Sequence, residues 1–439
     1  MDLTSSLLSL SDGSLPASFD GLKSQLPLEW IGSCLSNHGV ATLRRRKLPV
    51  EQVVWLVIGM ALYRNRSIPE IVDRLDLVMP DASGNKRTVA EGAITPARDK
   101  VGAEPLRDLF QTTSDHWGLE SAQSHSWRGL KIFGMDGTML RVPDSQENRK
   151  EFELHNGSSY PLVRLVTLMA LRSRLILSCA FSGCRTSEPM LAKELLPSIP
   201  DWSLTIADRY YHCYWVWNAI RDEQKNRHWL VRARDDFRVW KVIEKFGPGD
   251  ELAEIQITDA YRRDHPEMPE TIRVRVIRYR RAGFKTRMVL TSLLDPVAHP
   301  AKELANLYHE RWELEIGYNE IKTTMLEQRE AIRSRSPERV RQEVWGLLTA
   351  YNLIRREMEI AAGQLGVAPA RISFGMALRL ARDLFWWAEV ASPAKWPRMY
   401  EEMRVDLRRF VLPERRARSY PRHVKRPQRK YPGNVGHPA

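Results

Sequence analysis

The sequence is poor in cysteine and has no long apolar segment. Its four cysteines, among 439 residues, show no CxxC spacing, which argues against both a disulfide framework and a structural zinc site. The most apolar run, Val53–Tyr63, is far shorter than the ~18–20 residues of a membrane-spanning helix. The N-terminus is not basic and lacks the apolar segment and cleavage site of a signal peptide. We therefore expect a protein of the cytoplasm or nucleoid, without membrane contact.

Acidic residues are outnumbered by basic ones. The chain has 54 Asp and Glu against 67 Lys and Arg, a formal net charge of +13, and this excess favours a polyanionic partner. The length allows two or three domains with sizeable cores. The hydrophobic content of 43% is typical of a globular protein.

One basic cluster lies near the N-terminus. Helical patterns over Leu26–Leu77 enclose Arg44, Arg45, Arg46 and Lys47, and short helices around a basic cluster are typical of a small DNA-binding module. The alternative is a helical subdomain with an exposed basic loop.

A second basic segment is the C-terminal tail. Arg415–Lys430 contains eight Lys or Arg residues with Pro and Tyr between them. This composition is typical of a flexible arm that contacts phosphates, or of a solubilising tail.

From residue 129 the pattern changes to strands. Apolar segments bounded by turn residues predict three strands, a helix, a strand, a helix and a further strand. Strands followed by βαβ alternation indicate a mixed α/β sheet with helices on its faces. The predicted strands are Lys131–Arg141, Val163–Leu171, Leu175–Phe181, Leu204–Asp208 and His228–Arg234.

Residues 240–294 interrupt this alternation. Ala253–Thr258, Ile272–Tyr279 and Arg287–Leu293 alternate apolar with polar or basic residues, and Gly and Pro mark the turns between them. This pattern predicts an antiparallel β insertion.

The segment Tyr308–Lys322, which follows the insertion, has the composition of a helix. At about 100° per residue, Tyr308, Arg311, Glu315 and Lys322 share an arc of roughly 60°. On the helix alone, a solvated face with i,i+4 ion pairs is the simpler interpretation; the other is a surface that grips a phosphodiester and a metal. A separate apolar stripe contains Leu307, Leu314, Ile321 and Met325. The other acids of the helix lie on the remaining face, so we expect only Glu315 to be essential: they are Glu310, Glu313 and Glu320.

Two further acids stand out by position. Asp136 lies inside the first strand, where an acid is a poor strand former, and Asp208 ends a short buried strand. Each alone is more simply a capped turn or an ion-pair partner, but two carboxylates buried in one sheet need a compensating cation. Oxygen ligands with few other donors nearby suit Mg²⁺ or Mn²⁺ rather than zinc. Together with Glu315, these acids indicate a metal site.

Three motifs resemble those of the DDE transposases of the IS4 family. They are Asp136-Gly-Thr, Ala-Asp208-Arg-Tyr-Tyr and Tyr308-x₂-Arg311-x₃-Glu315-x₆-Lys322. The last resembles the YREK signature of that family, with all four residues at the family's spacing. Leu26–Leu77 is similar to the family's N-terminal domain, and the β interruption is similar to the insertion between its second Asp and its Glu.

The resemblance implies an RNase H-like core in which Asp136, Asp208 and Glu315 are catalytic and bind two Mg²⁺ or Mn²⁺ ions. It implies that Tyr308, Arg311 and Lys322 grip phosphates near the cleaved end. It also implies a bacterial, nucleoid-associated transposase that acts as a homodimer on double-stranded DNA. Such an enzyme cuts transposon ends and joins them to target DNA by cut-and-paste, and related enzymes pass through a hairpin intermediate.

A hairpin intermediate requires a flipped base that stacks on an aromatic side chain. The resemblance implies that this aromatic lies in the β insertion, where Trp240 and Phe284 are candidates. Ordinary packing is the simpler interpretation of each.

Two other functions remain open from the sequence: an RNase H-fold nuclease without strand transfer, and a catalytically inactive DNA-binding repressor. The intact acid triad argues against the repressor. The predicted domains are a loose lead-in (1–25), a helical N-terminal DNA-binding domain (26–125), the first part of the core (126–238), the β insertion (239–296), the second part of the core (297–365), and a C-terminal helical segment with the basic tail (366–439).

Overall fold

The computed structural model describes most of the chain between residues 26 and 414. The described ranges are 26–40, 48–78, 88–155, 158–237, 240–281, 284–327, 331–388 and 395–414. The predicted lead-in, the cluster Arg44, Arg45, Arg46 and Lys47, and the tail Arg415–Lys430 lie outside the described residues.

The N-terminal part of the described chain is helical. Its helices are α1 (Leu28–Asn37), α2 (Val50–Leu62), α3 (Ile68–Arg74), α4 (Glu91–Val101) and α5 (Glu104–Ser124). Helix α3 begins with a capping box between Ser67 and Glu70. Pro105 lies in the first turn of α5, where a missing N–H breaks no intrahelical hydrogen bond.

Within the described ranges, nine strands form one mixed sheet. Its order is β3-β2-β1-β4-β5-β9-β8-β7-β6, in which β1, β4 and β5 are parallel and the other neighbouring pairs are antiparallel. The strands are β1 (Lys131–Arg141), β2 (Leu162–Ala170), β3 (Ile176–Gly183), β4 (Ser203–Ala207), β5 (Arg227–Arg232), β6 (Lys241–Gly247), β7 (Asp250–Gln256), β8 (Thr271–Tyr279) and β9 (Arg287–Thr291).

This sheet confirms the predicted fold class, an RNase H-like mixed sheet with an antiparallel insertion. The insertion strands do not form a separate layer, because β9 pairs with β5 and continues the same sheet. The sequence analysis missed β6, whose side chains are mostly exposed and therefore lack the alternation of a half-buried strand.

The remaining helices cover the sheet and complete the fold. They are α6 (Gln146–Phe152), α7 (Glu188–Leu195), α8 (Tyr214–Ile220), α9 (Asp259–Asp264), α10 (Ala301–Glu310), α11 (Trp312–Asn319), α12 (Pro337–Leu365), α13 (Phe374–Ala388) and α14 (Trp396–Asp406). Among the described residues, no helix combines the length and apolarity needed to cross a bilayer.

The segment Tyr308–Lys322 is helical as predicted, but it is not one regular α-helix. Helix α10 ends at Glu310, α11 begins at Trp312, and a π-helical turn follows over Glu320–Met325. Because a π turn has a different angular spacing, the calculated arc does not extend to Lys322. The apolar stripe is nevertheless buried as expected, at Leu307, Leu314, Ile321 and Met325.

Candidate active site

Asp136 and Asp208 lie side by side on neighbouring parallel strands. In the β1–β4 ladder Met135 is paired with Ala207, so the next residues are Asp136, within β1, and Asp208, directly after β4. The Asp208 carboxylate caps a short 3₁₀ turn by accepting the backbone N–H of Tyr210 at 2.7 Å. The sheet register therefore brings together two acids that are 72 residues apart in the sequence.

The backbone around Asp136 is held from the helix side. Tyr318 donates its hydroxyl to the Asp136 carbonyl oxygen at 2.5 Å, and the same hydroxyl lies 2.8 Å from Thr167 Oγ1. Gly134 has no side chain, and a Cβ built there would lie 2.6 Å from Leu314. This close approach seats α11 directly over β1, which brings Arg311 and Glu315 to the acids of the sheet.

Arg311 connects two of the three predicted catalytic acids. Its guanidinium donates to Asp136 Oδ2 at 3.1 Å and to Glu315 Oε1 at 2.7 Å. The i,i+4 pair with Glu315 was expected from the helix, whereas the bridge to the sheet depends on the tertiary structure.

Burial disfavours the charged form of the Asp136 carboxyl. It raises the pKa of Asp136 to about 7; Arg311 opposes this shift and the neighbouring Asp208 adds to it. Burial also raises the pKa of Tyr308 to about 12, so this phenol is a neutral hydrogen-bonding group at physiological pH. A cation bound at Asp136 would favour its charged carboxylate and lower its pKa.

A cleft of about 440 Å³ opens beside Asp208. Four arginines and two aspartates contribute to its wall, so its lining is cationic. Its lining residues are Asp208, Arg209, Arg232, Asp235, Arg287, Tyr308 and Arg311. Tyr308 and Arg311, predicted to contact phosphate, thus share one cleft with a predicted metal ligand.

A second cleft of about 600 Å³ contains both sheet acids and a residue that the sequence analysis missed. This is Glu188, in the first turn of α7, whose carboxylate lies where a Cβ on Gly137 would be. From the sequence, Glu188 is only a favourable charge at a helix N-terminus. Burial raises its pKa, Arg164 opposes the shift, and Asp208 adds to it. A glycine directly after Asp136 was the one available signal of a close approach.

Lys322 and Trp240 have different surroundings from the other predicted DNA-binding residues. Lys322 is half-buried in the π-helical turn. The Trp240 ring stacks on Phe237 at 5.2 Å between centroids, carries the Arg278 guanidinium at 5.3 Å, and donates its N–H to Glu251 at 2.9 Å. These contacts favour the packing interpretation of Trp240.

The other acids of the catalytic helices have structural partners. Glu310 pairs with Arg172, while Glu313 and Glu320 both accept from Arg174. Glu320 is 7% exposed, so this part of the remaining face is buried; that Glu315 alone is essential for the activity stays a prediction. The angular position of a residue on a helix does not show whether that side of the helix faces solvent or packs against another element.

His212 allows a test of the aromatic packing beside the second cleft. Burial, with a smaller effect from Arg234, lowers its pKa to about 4, so protonation favours the unfolded state as the pH falls below about 6.5. The stabilising effect of neutral His212 is present above that value and is lost towards pH 4. We expect His212→Phe to reduce the drop in melting temperature between pH 7 and pH 5, measured by thermal unfolding. An unchanged drop would contradict this assignment.

The comparisons with known proteins agree with these features. Residues 16–111 match the insertion element 4 transposase N-terminal family, and residues 127–353 match the transposase DDE domain. The transposase InsG for insertion sequence element IS4 of Escherichia coli K12 is 36% identical over 409 residues, which are 92% of this chain and 91% of that protein. The putative transposase InsZ of the same strain is 36% identical over 250 residues, covering 55% of this chain and 80% of that protein.

A solved structure, the piggyBac transposase synaptic complex with hairpin DNA, has a TM-score of 0.42 and 11% identity, covering 92% of this chain and 87% of that chain. The sheet, its acids and the domain match over half of the chain define the class as DDE transposases. Within that class, the chain belongs to the IS4 family.

Transposase DDE domains use divalent metal ions, and the donor chemistry here fits such an ion. Asp136 and Asp208 offer carboxylate oxygens from adjacent strands, which suit hard cations. In this conformation no three His, Cys, Asp or Glu residues within the described ranges surround one metal position. The Arg311 guanidinium contacts both Asp136 and Glu315 instead.

Proposed function

We propose that this chain binds the terminal inverted repeats of its own insertion sequence and moves the element by cut-and-paste. The observation that carries the proposal is the adjacency of Asp136 and Asp208, linked to Glu315 through Arg311, at the edge of an arginine-lined cleft. Such a cleft suits the phosphate backbone, and the paired acids suit phosphoryl transfer.

We propose that the site binds two divalent ions, either Mg²⁺ or Mn²⁺. The carboxylates that would hold them are those of Asp136, Asp208 and Glu315. When bound, such ions activate the attacking water or 3′-hydroxyl and neutralise charge on the leaving oxygen. Arg311 now contacts both Asp136 and Glu315. We expect it to release at least one carboxylate on metal binding and to contact a phosphate instead.

The remaining site residues position the DNA. Tyr308 offers a neutral hydroxyl beside Arg311 in the same cleft. Tyr318 restrains the Asp136 backbone through its hydrogen bond, which limits movement of this acid during the reaction. We assign Lys322 to a more distant phosphate as a point charge.

We also propose the domain division given above, with residues 26–125 and Arg44–Lys47 contacting DNA, and a homodimer that joins two element ends at the nucleoid. The support is the family match and the positive charge of the chain. Measuring the mass of the protein bound to end DNA by light scattering tests the dimer: a single chain on each DNA would contradict it.

The test of the function uses DNA that ends in a 3′-hydroxyl at the element boundary, together with plasmid and Mg²⁺. We expect joined products at the plasmid, with the two element ends attached at staggered positions on the two target strands. Nicks without joined products would instead support the nuclease alternative. Failure to cut or join any end DNA, with end binding retained, would support the repressor.

If the reaction passes through a hairpin intermediate, we expect the flipped base to stack on Trp312. This side chain is 48% exposed and lies beside Arg311, with the guanidinium 5.7 Å from the ring centroid, whereas Trp240 is packed. Base–aromatic stacking contributes about 1–3 kcal/mol, so Trp312→Ala should reduce hairpin formation about 5- to 150-fold. Denaturing gels of cleavage products measure this effect.

The matched control is Trp240→Ala, which should lower the melting temperature without a selective loss of hairpin. Trp312→Phe, which keeps an aromatic face, should restore much of the activity. Selective loss of hairpins in Trp240→Ala but not in Trp312→Ala would assign the stacking role to the insertion, as the resemblance implies.

A further inference from the structure

Asp235 is surrounded by three arginines at the mouth of the arginine-lined cleft. Its carboxylate lies 3.0 Å from Arg232, 3.6 Å from Arg209 and 3.8 Å from Arg287. The Asp235 side chain is 66% exposed, and exposed ion pairs contribute little to folding stability. Stabilising the fold is therefore a poor explanation for this arrangement.

The three arginines come from different elements and meet only in the folded protein. Arg209 follows Asp208 in the 3₁₀ turn, Arg232 ends β5, and Arg287 begins β9. Arg232 is paired with Val289 in the β5–β9 ladder, so Arg287 lies two positions away on the neighbouring strand. This geometry directs three guanidiniums toward one point.

Hydrogen-bonding capacity is left over on these arginines. The Nε of Arg232 is buried and has no hydrogen-bond partner among the residues that the structure describes. One carboxylate has two oxygens, whereas three guanidiniums together carry many more donors. A group with more acceptor oxygens and more negative charge would satisfy them better.

We propose that Arg209, Arg232 and Arg287 form a binding subsite for a phosphate of the DNA backbone, and that Asp235 occupies this subsite until DNA displaces it. The inference rests on the proposed function, because it requires DNA to enter the cleft. The subsite adjoins Asp208, which lines the same cleft, so a strand bound there would pass beside the catalytic acids.

The Asp235 carboxylate competes with DNA for the three arginines, so it weakens DNA binding. Phosphate binding must break the pairs that Asp235 makes with the arginines, which weakens binding to any DNA. A strand held by further sequence-specific contacts overcomes this cost, whereas non-specific DNA does not. Asp235 thus opposes non-specific occupation of the cleft.

The experiment measures binding of the full chain to a fluorescent DNA duplex of arbitrary sequence by anisotropy, with EDTA present to prevent cleavage. Asp235→Asn should bind about three- to tenfold more tightly than the wild type, because release of the arginines adds to the phosphate attraction. The matched control is Asp201→Asn, which removes an equally charged, exposed partner of Arg227 at the opposite end of β5. The gain in affinity of Asp201→Asn over the wild type should be less than half of the gain of Asp235→Asn.

Arginine variants test the same subsite in the other direction. Arg287→Gln should weaken binding and make the slope of log K against log salt shallower by about 1. Its control, Arg227→Gln, carries the same charge change and should leave the slope nearly unchanged. Thermal unfolding checks that each variant is folded, and Asp235→Ser provides a second uncharged replacement.

The outcomes separate this inference from the proposed function. If the wild-type chain binds neither this duplex nor its own end DNA, the proposed function fails. If it binds, but Asp235→Asn and Asp201→Asn have equal affinities or Arg287→Gln matches Arg227→Gln, only the subsite is wrong. Tighter binding by both Asp235→Asn and Asp235→Ser, together with a shallower slope for Arg287→Gln, supports it.

Discussion

Asp136→Asn should reduce DNA cleavage by about 10³-fold or more and leave DNA binding intact. Asparagine keeps the shape of the side chain but removes the charge that a divalent metal requires, and loss of metal-assisted chemistry costs several kcal/mol of barrier. Cleavage of end DNA with Mg²⁺ and anisotropy in EDTA measure the two effects separately. The same pattern is expected for Asp208→Asn and Glu315→Gln.

Stability provides an internal check on this prediction. The folded-state pKa of Asp136 is raised from 3.8 to about 7, so its stabilising contribution is present below pH 3.8 and is lost as the pH rises through 7. In EDTA at pH 8, Asp136→Asn should therefore melt no lower than the wild type, although it loses an ion pair with Arg311. A large drop in melting temperature would mean that Asp136 holds the fold.

Asp144→Asn is the matched control for cleavage. Asp144 is an exposed acid in the connection that follows β1, and it pairs with Arg149. Its replacement should leave cleavage within about threefold of the wild type, since exposed ion pairs contribute little. Equal losses for Asp144→Asn and Asp136→Asn would contradict a special role for Asp136.

The parts of the fold that depend on local pattern could be predicted from the sequence. The first strand was predicted as Lys131–Arg141, with the bounds that the structure has, because an apolar run between turns defines a strand. The conspicuous acids followed from the same reasoning: Asp136 is an unfavourable residue inside such a strand, and Asp208 ends one. Their adjacency required the parallel pairing of β1 with β4, which the βαβ pattern made plausible.

The parts that depend on distant contacts could not be predicted. The break in the helix at Arg311 and the π-helical turn have no pattern in the sequence that marks them. The meeting of Arg209, Arg232 and Arg287 around Asp235 joins a turn and two strands over 79 residues of sequence. This cluster depends on the order of strands in the sheet, because it forms only when β9 pairs with β5.

Glu320 also depends on contacts with residues that are distant in the sequence, and we expect its replacement to cause a large loss of stability. Its carboxylate accepts from Arg174 at 2.6 Å and from Tyr351 at 3.0 Å, and it also pairs with Arg355. Arg174 belongs to the turn between β2 and β3, and Arg355 to α12. Glu320 therefore ties the helix that carries Glu315 to two separate elements.

Glu320→Ala should lower the free energy of unfolding by about 3–5 kcal/mol, because it leaves buried cations without their partner. Arg355 is 0% exposed and Arg174 is 2% exposed, so water cannot solvate the charges that remain. Urea denaturation measures the change, and Glu310→Ala is the control on the preceding helix. Glu310 pairs with Arg172 where both side chains are about one-third exposed, so its loss should cost at most about 1 kcal/mol. Equal costs for the two variants would mean that the buried pairs around Glu320 do not hold the catalytic helix in place.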